Sequence, residues 1–310
     1  MGLMTYLHAE GSSYAASAQA THQSTGVDSD PHVPLGTLIR PKKESRAHRR
    51  RRTALAITLF LAVFVFIAPS PYVVEAPGPT QDVLGSSGSQ SVITVKGAPT
   101  YHSKADGKLL LTTVNAAGLS GGSGIQTLIG WADPHATVLP KEVVMPPDQS
   151  VAEYEQANHK AMTSSQDVAS AQALQFLRSR GKNTAGIKIF MHVDDIGGPS
   201  AGLMYTLGAI DKLTPQDETA GQVIAGTGTM NKDGTVGEIG GIRLKMIGAR
   251  RDGASWFLAP ADNCKEVVGN VPQGLRDVRV STLEEAYTAL TEIGQGRGDA
   301  LPHCTTVAPQ

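Results

Sequence analysis

The chain has 310 residues, with 27 Lys and Arg against 28 Asp and Glu and a formal net charge of −1. That balance excludes the overall basic signature of a nucleic-acid-binding protein. The length admits one or two domains once non-globular parts are set aside, and two cysteines with no Cys/His pairs at zinc spacing give no sign of a metal site.

Residues 1–52 are rich in Ser, Ala, His and basic side chains with little apolar periodicity, which reads as a disordered, basic cytoplasmic tail. Arg40, Lys42, Lys43, Arg46 and Arg49 to Arg52 form a basic block opposed only by Glu44, and Thr53 to Ala68 then runs without a charge. Sixteen helical residues would rise about 24 Å, short of a hydrocarbon core of about 30 Å, and snorkelling arginines with Tyr72-Val73-Val74 can close the gap. The expectation is a single, retained transmembrane anchor over 53–70 in a plasma membrane, with the N-terminus cytoplasmic and the rest extracytoplasmic. A cleaved signal peptide and a buried core helix are the alternatives. Cys264 and Cys304 both fall on the expected outer side, where one disulfide would close the C-terminal tail; two buried thiols are the alternative.

Residues 71–107 read as a linker with first strands: Ala76-Pro77-Gly78-Pro79 and Gly85 to Ser89 punctuate it, and Ser91 to Val95 alternates as a strand. Lys108 to Val114 reads as a strand opening the main domain, 108–295. A Gly-rich loop at 118–124 precedes a short helix with Leu128, Ile129 and Trp131. That loop lacks the Lys-Ser/Thr ending of a phosphate-binding loop, so nothing points to ATP. Residues 150–180 are helical, with Ala169, Ala173, Leu174 and Leu177 on one face. Strands follow at 186–193, 222–230, 235–239, 256–260 and 278–280, helices at 201–210, 241–251, 262–268 and 283–293, and a tail at 296–310.

Two stretches carry chemistry. In Asp194-Asp195-Ile196-Gly197-Gly198-Pro199-Ser200-Ala201-Gly202, the glycines permit a tight turn and close substrate approach, and Ser200 stands at the mouth of an apolar helix. A hydroxyl there suits a nucleophile beside unpaired helix N–H groups, and equally an ordinary helix cap. The second stretch runs from Gly240 to Arg251. At about 100° per residue, Arg243 and Arg250 share a solvent face, whereas Lys245 projects nearly opposite, beside Ile242 and Ala249. A lysine so placed either snorkels or pairs with a carboxylate, or loses its proton and serves as a base.

The block from Asp194 to Cys264 resembles the proteolytic domain of Lon-type Ser-Lys peptidases, in particular the membrane-anchored, ATP-independent, PDZ-containing kind. The resemblance rests on Gly197-Gly198-Pro199-Ser200-Ala201-Gly202, Ile224-Ala225-Gly226-Thr227-Gly228-Thr229 and Gly237-Glu238-Ile239-Gly240-Gly241-Ile242-Arg243-Leu244-Lys245, in matching order and separation. It implies an α+β fold with Ser200 as nucleophile, Lys245 as general base and Thr227 orienting the lysine. It also implies backbone around Gly197 and Gly198 holding the oxyanion, a polypeptide substrate, no cofactor, no ATP and a homo-oligomer. Only Arg178 to Ala185 separates the long helix from the next strand, too few residues for a PDZ module.

Two rival readings stand beside it. Gly198-Pro199-Ser200-Ala201-Gly202 satisfies the Gly-x-Ser-x-Gly elbow of esterases, with His303 the sole histidine downstream. The other is an inactive, membrane-tethered binding protein that keeps the fold.

Overall fold

The computed structural model describes residues 46–102, 105–192 and 198–305. Residues 1–54 and 55–310 form separate units. Of the first unit only residues 46–54 are described, as the start of a helix; the expected disordered tail at 1–45, together with Asp194, Asp195 and Gly197, lies outside the described residues.

That helix, α1, runs from Arg46 to Ile67. It therefore starts inside the stretch read as tail, because arginine is a good helix former and lets the apolar run propagate backwards. The anchor over 53–70 needs a correction: no helix among the described residues is long and apolar enough to cross a membrane. The uncharged part of α1 ends at Ile67, and Pro69–Ser70 pairs as a short strand with Gly122–Ser123.

A second correction concerns residues 72–82. The sequence reads as a linker there, but Tyr72–Asp82 is the longest strand, β1. Its Pro77-Gly78-Pro79 punctuation is absorbed by a register shift between Pro77 and Thr80, where the ladder need not receive the missing proline N–H donors. The other main elements are β2 (Ile93–Lys96), β3 (Lys108–Ala117), α2 (Gly124–Ala132), β4 (Thr137–Pro140), α3 (Val151–Ser179), β5 (Lys188–Met191) and α4 (Gly202–Leu213). Then come β6 (Val223–Gly226), β7 (Thr229–Met230), β8 (Val236–Gly237), α5 (Ile242–Arg251), β9 (Trp256–Pro260), β10 (Arg276–Val280) and α6 (Leu283–Gly294). The strand expected over 222–230 is split into β6 and β7.

The principal sheet has the order β10-β9-β6-β3-β1-β4. Four strands, β10, β9, β6 and β3, are parallel, and β1 runs antiparallel to both β3 and β4. The architecture is thus mixed α/β, with a parallel half and an antiparallel half. β2 pairs with β5, and β7 with β8, as separate antiparallel ribbons.

Helix α4 is the hub. All twelve of its residues are buried, as its apolar circumference predicts. Each fully buried Leu, Ile or Met side chain contributes roughly 1.5–3 kcal/mol, so Leu203, Met204, Leu207 and Ile210 dominate this core. Helix α3 begins with a capping box between Ser150 and Glu153 and buries Met162, Ser165, Ala169, Gln172, Ala173, Phe176 and Leu177 along one stripe. A second core gathers Ile242, Met246 and Ala249 of α5 with Phe257 and Ala259 of β9. The Cys264–Cys304 disulfide closes this side across 40 residues of sequence, a loop whose closure is worth about 4 kcal/mol on chain-entropy grounds.

Candidate active site

Ser200 sits in the turn between β5 and α4. Gly198 adopts φ +89°, a conformation that favours glycine, and its N–H donates to the Asn158 carbonyl at 3.1 Å. That N–H is therefore engaged inside the protein, not turned toward a substrate as the oxyanion reading requires. The Pro199 carbonyl accepts from the Ser165 hydroxyl of α3 at 3.1 Å. A Cβ on Gly202 would lie 2.8 Å from Ser165 Oγ and 2.9 Å from the Met230 nitrogen, so glycine there lets the turn close against α3 and β7. The capping alternative does not hold: Ala201 is the N-cap of α4 and no side chain caps the helix. The half-buried Ser200 hydroxyl is thus not spent on capping.

Thr227 follows the last residue of β6, at the carboxyl end of a central parallel strand, where open α/β sheets place functional groups. Its side chain is fully buried. The Thr227 hydroxyl donates to the Ser200 carbonyl at 3.0 Å, and the Gly228 N–H reaches the same oxygen at 2.9 Å. Two donors therefore fix the backbone of the serine.

Lys245 lies in the first turn and a half of α5, 4% exposed, with Ile242 and Ala249 buried on the same side. Its Nζ donates to Thr227 Oγ1 at 3.1 Å. One polar path thus runs from Lys245 Nζ through the Thr227 hydroxyl to the Ser200 backbone. Burial brings the Lys245 amine down to about 7, with the Glu75 carboxylate pulling the other way. Between pH 7 and 8 the neutral amine is therefore abundant, and it can accept a proton.

The other cations of α5 are not simply solvated, as the helical wheel suggested. Arg243 donates to the carbonyls of Pro134 and Ala136 and to the Thr137 hydroxyl, at 2.8–2.9 Å. Arg250 reaches the Gln273 carbonyl, and Arg251 that of Gly78. These contacts fasten α5 to three neighbouring segments and fix the direction of Lys245. Buried Asn263 holds the segment leading into α5, donating to the Ile239 carbonyl and accepting from the Ile239 N–H.

Sequence reasoning missed Glu75. It lies on β1 opposite Ala116 and Thr137, with a carboxylate oxygen 3.9 Å from where a Cβ on Gly241 would stand, at the start of α5. Burial raises its carboxyl above the usual range, offset in part by Lys245. The signal lay in the Tyr72 to Glu75 run, hidden by the Pro-Gly-Pro that follows. His303, which an esterase would need, is exposed on the C-terminal segment beside β10, and the groups joined to Ser200 are Thr227 and, through it, Lys245. Among the described residues no cluster of three or more His, Cys, Asp or Glu could hold a metal ion.

Residues 127–292 match the Lon protease (S16) C-terminal proteolytic domain. The chain is 35% identical over 111 residues to the Lon protease of Mycoplasma mycoides, covering 34% of this chain and 14% of that protein. It is 34% identical over 132 residues to a mitochondrial Lon protease homolog of Emericella nidulans, covering 40% and 11% respectively. With Lon protease 1 of Sorangium cellulosum it shares 34% identity over 112 residues, 34% of this chain and 14% of the relative. The chain thus spans only about a seventh or less of the length of these relatives. Ser200, Thr227 and Lys245 fall inside the matched segment; β1, β3 and Glu75 precede it.

Proposed function

Because the chain belongs to the Lon protease (S16) family, we propose that it is a serine-type peptidase whose catalytic dyad is Ser200 and Lys245. Neutral Lys245 removes the Ser200 proton as Oγ attacks a peptide carbonyl, giving a tetrahedral oxyanion. The resulting lysinium protonates the leaving amine as the C–N bond breaks. Water then attacks the acyl-enzyme with Lys245 again taking the proton, which releases the new carboxyl end and restores the serine. Thr227 aims the amine and holds the Ser200 backbone. The observation that carries this reading is a deeply buried lysine, lowered to about 7, whose hydrogen-bond path ends on the serine's own carbonyl.

The substrate in this reading is unfolded or flexible polypeptide, cut without ATP; none of the 310 residues forms a Gly-x4-Gly-Lys-Ser/Thr loop. The enzyme works attached to a membrane through the apolar part of α1, on which Leu59, Phe60, Phe64 and Ile67 are exposed. The Cys264–Cys304 disulfide supports action on an oxidising, extracytoplasmic side. The test is cleavage of a reduced, carboxymethylated protein by wild type, Ser200→Ala and Lys245→Met. Cleavage by wild type alone supports the dyad; undiminished cleavage by either variant removes that residue from the chemistry.

A further inference from the structure

Helix α2 is amphipathic in the wrong sense for a soluble surface. Its inward residues are small: Thr127, whose hydroxyl shares a 2.7 Å hydrogen bond with Ser70, and Gly130, which presses against Val74 and Val138. Its outward residues are large and apolar. Ile125 is 45% exposed, Leu128 43%, Ile129 63% and Trp131 61%. Ile125, Leu128 and Ile129 follow the i, i+3, i+4 spacing of one helical stripe, with Trp131 on its flank about 60° beyond Leu128, and the nine residues carry no charge. In water such a face is a liability unless something covers it.

What covers it is indicated by its neighbour. The Gly124 N–H donates to the Ala68 carbonyl at 3.2 Å, and Pro69–Ser70 pairs in antiparallel register with Gly122–Ser123. The end of α1 and the start of α2 are therefore fastened together, with exposed Phe64 and Ile67 close in sequence to that joint. A bilayer that receives the end of α1 meets α2 next. The chemistry fits that depth: the Trp131 and Tyr72 rings contact edge to face at 5.7 Å, and amphipathic aromatics of this type favour the headgroup boundary. The uncharged part of α1, Thr53 to Ile67, rises only about 22 Å, so a flanking interfacial helix adds the apolar area that α1 lacks.

We propose that the outward face of α2, formed by Ile125, Leu128, Ile129 and Trp131, docks on a lipid bilayer and seats the peptidase domain against the membrane surface. The proposal rests on membrane attachment through α1. It restricts productive substrates to polypeptide segments that come close to the bilayer.

The test uses the full chain carrying Trp256→Phe, which leaves Trp131 as the sole tryptophan of two, in phosphatidylcholine/phosphatidylglycerol vesicles. Flotation reads attachment; quenching by lipids brominated near the headgroup end of the acyl chain reads docking. The expected result is flotation together with blue-shifted Trp131 emission that these lipids quench by about half. Ile129→Glu is expected to abolish the quenching while flotation persists. Should Trp256→Phe destabilise the fold, Trp131→Phe in the wild-type background gives the same reading by difference. Flotation with Trp131 emission unchanged from water overturns the docking and leaves α1 attachment standing. A chain that stays out of the vesicles overturns both. Concentration-dependent protection of Trp131 without lipid, accompanied by a doubled sedimenting mass, assigns the face to a second copy and also overturns the proposal.

Discussion

Two buried ionisable clusters stand at opposite ends of α4, and burial drives them in opposite chemical directions. At the N-terminal end the Lys245 amine loses affinity for its proton. At the C-terminal end the Asp211 carboxyl gains it: burial, then the neighbouring Glu218, push Asp211 up to about 8. Both effects disfavour the charged form of a desolvated group. They differ in what the neutral form faces. Lys245 is connected through Thr227 to a half-buried serine. Asp211 Oδ2 and Glu218 Oε2 are both buried without a hydrogen-bond partner, and a proton held on Asp211 spares the site two adjacent buried charges. Thr214 and Tyr287 donate to the remaining Glu218 oxygen. A perturbed proton affinity therefore marks a reactive centre only where the altered group faces something it can activate; elsewhere it only makes stability depend on pH.

The largest expected effect separates the two ends by activity. Ser200→Ala and Lys245→Met should each lower kcat by about a thousandfold or more, whereas Asp211→Asn should leave kcat nearly unchanged, all read on an unfolded substrate. Lys245→Met should also stabilise the fold at pH 6. Between the folded value of about 7 and the ordinary 10.5, the unfolded chain binds more protons, so wild type is penalised most below 7 and recovers as pH rises. Thermal denaturation at pH 6 and pH 10 checks this; a variant equally stabilised at both contradicts it.

Thr227→Val comes next. It removes the hydroxyl that receives the Lys245 hydrogen bond and holds the Ser200 carbonyl, and should cost about 10–100-fold in kcat with KM little changed. An equal loss confined to KM would make Thr227 a substrate contact instead.

At the other end the effect is on stability alone. The folded chain holds the Asp211 proton from its ordinary 3.8 up to about 8, so the stabilisation is complete below about 4 and is lost as pH rises through about 8. Asp211→Asn supplies the neutral form permanently and should raise Tm at pH 8, by about 2–4 °C for each kcal/mol recovered in a chain of this size. Identical Tm against pH for variant and wild type would show that Asp211 does not hold its proton.

The smallest effect is expected at Glu75. Glu75→Gln removes the carboxylate that favours the charged lysine, so the acid limb of kcat/KM should move to lower pH, with the plateau rate retained. A pH–rate profile with that limb unmoved would show that Glu75 does not reach the amine.

What could be read from the chain follows the range of the forces. Helices α3, α4 and α5 are legible because their 3.6-residue patterns are local, and the inward direction of Lys245 follows from the same wheel. The strand at 72–82 was not legible, because its Pro-Gly-Pro signals a break while the register shift that accommodates it depends on a strand some 30 residues on. Glu75 was hidden with it. The role of Arg243 was equally concealed, since its acceptors lie more than 100 residues away in sequence. The engaged N–H of Gly198 likewise depends on Asn158 of α3, which no local motif announces.

The most direct test of the dyad is the pH dependence of Ser200 acylation by a serine-directed fluorophosphonate, followed by mass spectrometry in wild type and Lys245→Met. The account predicts labelling of Ser200 in wild type with a midpoint near the Lys245 value of about 7, and its collapse in the variant. Labelling that rises only near pH 10, or that persists without Lys245, would contradict it.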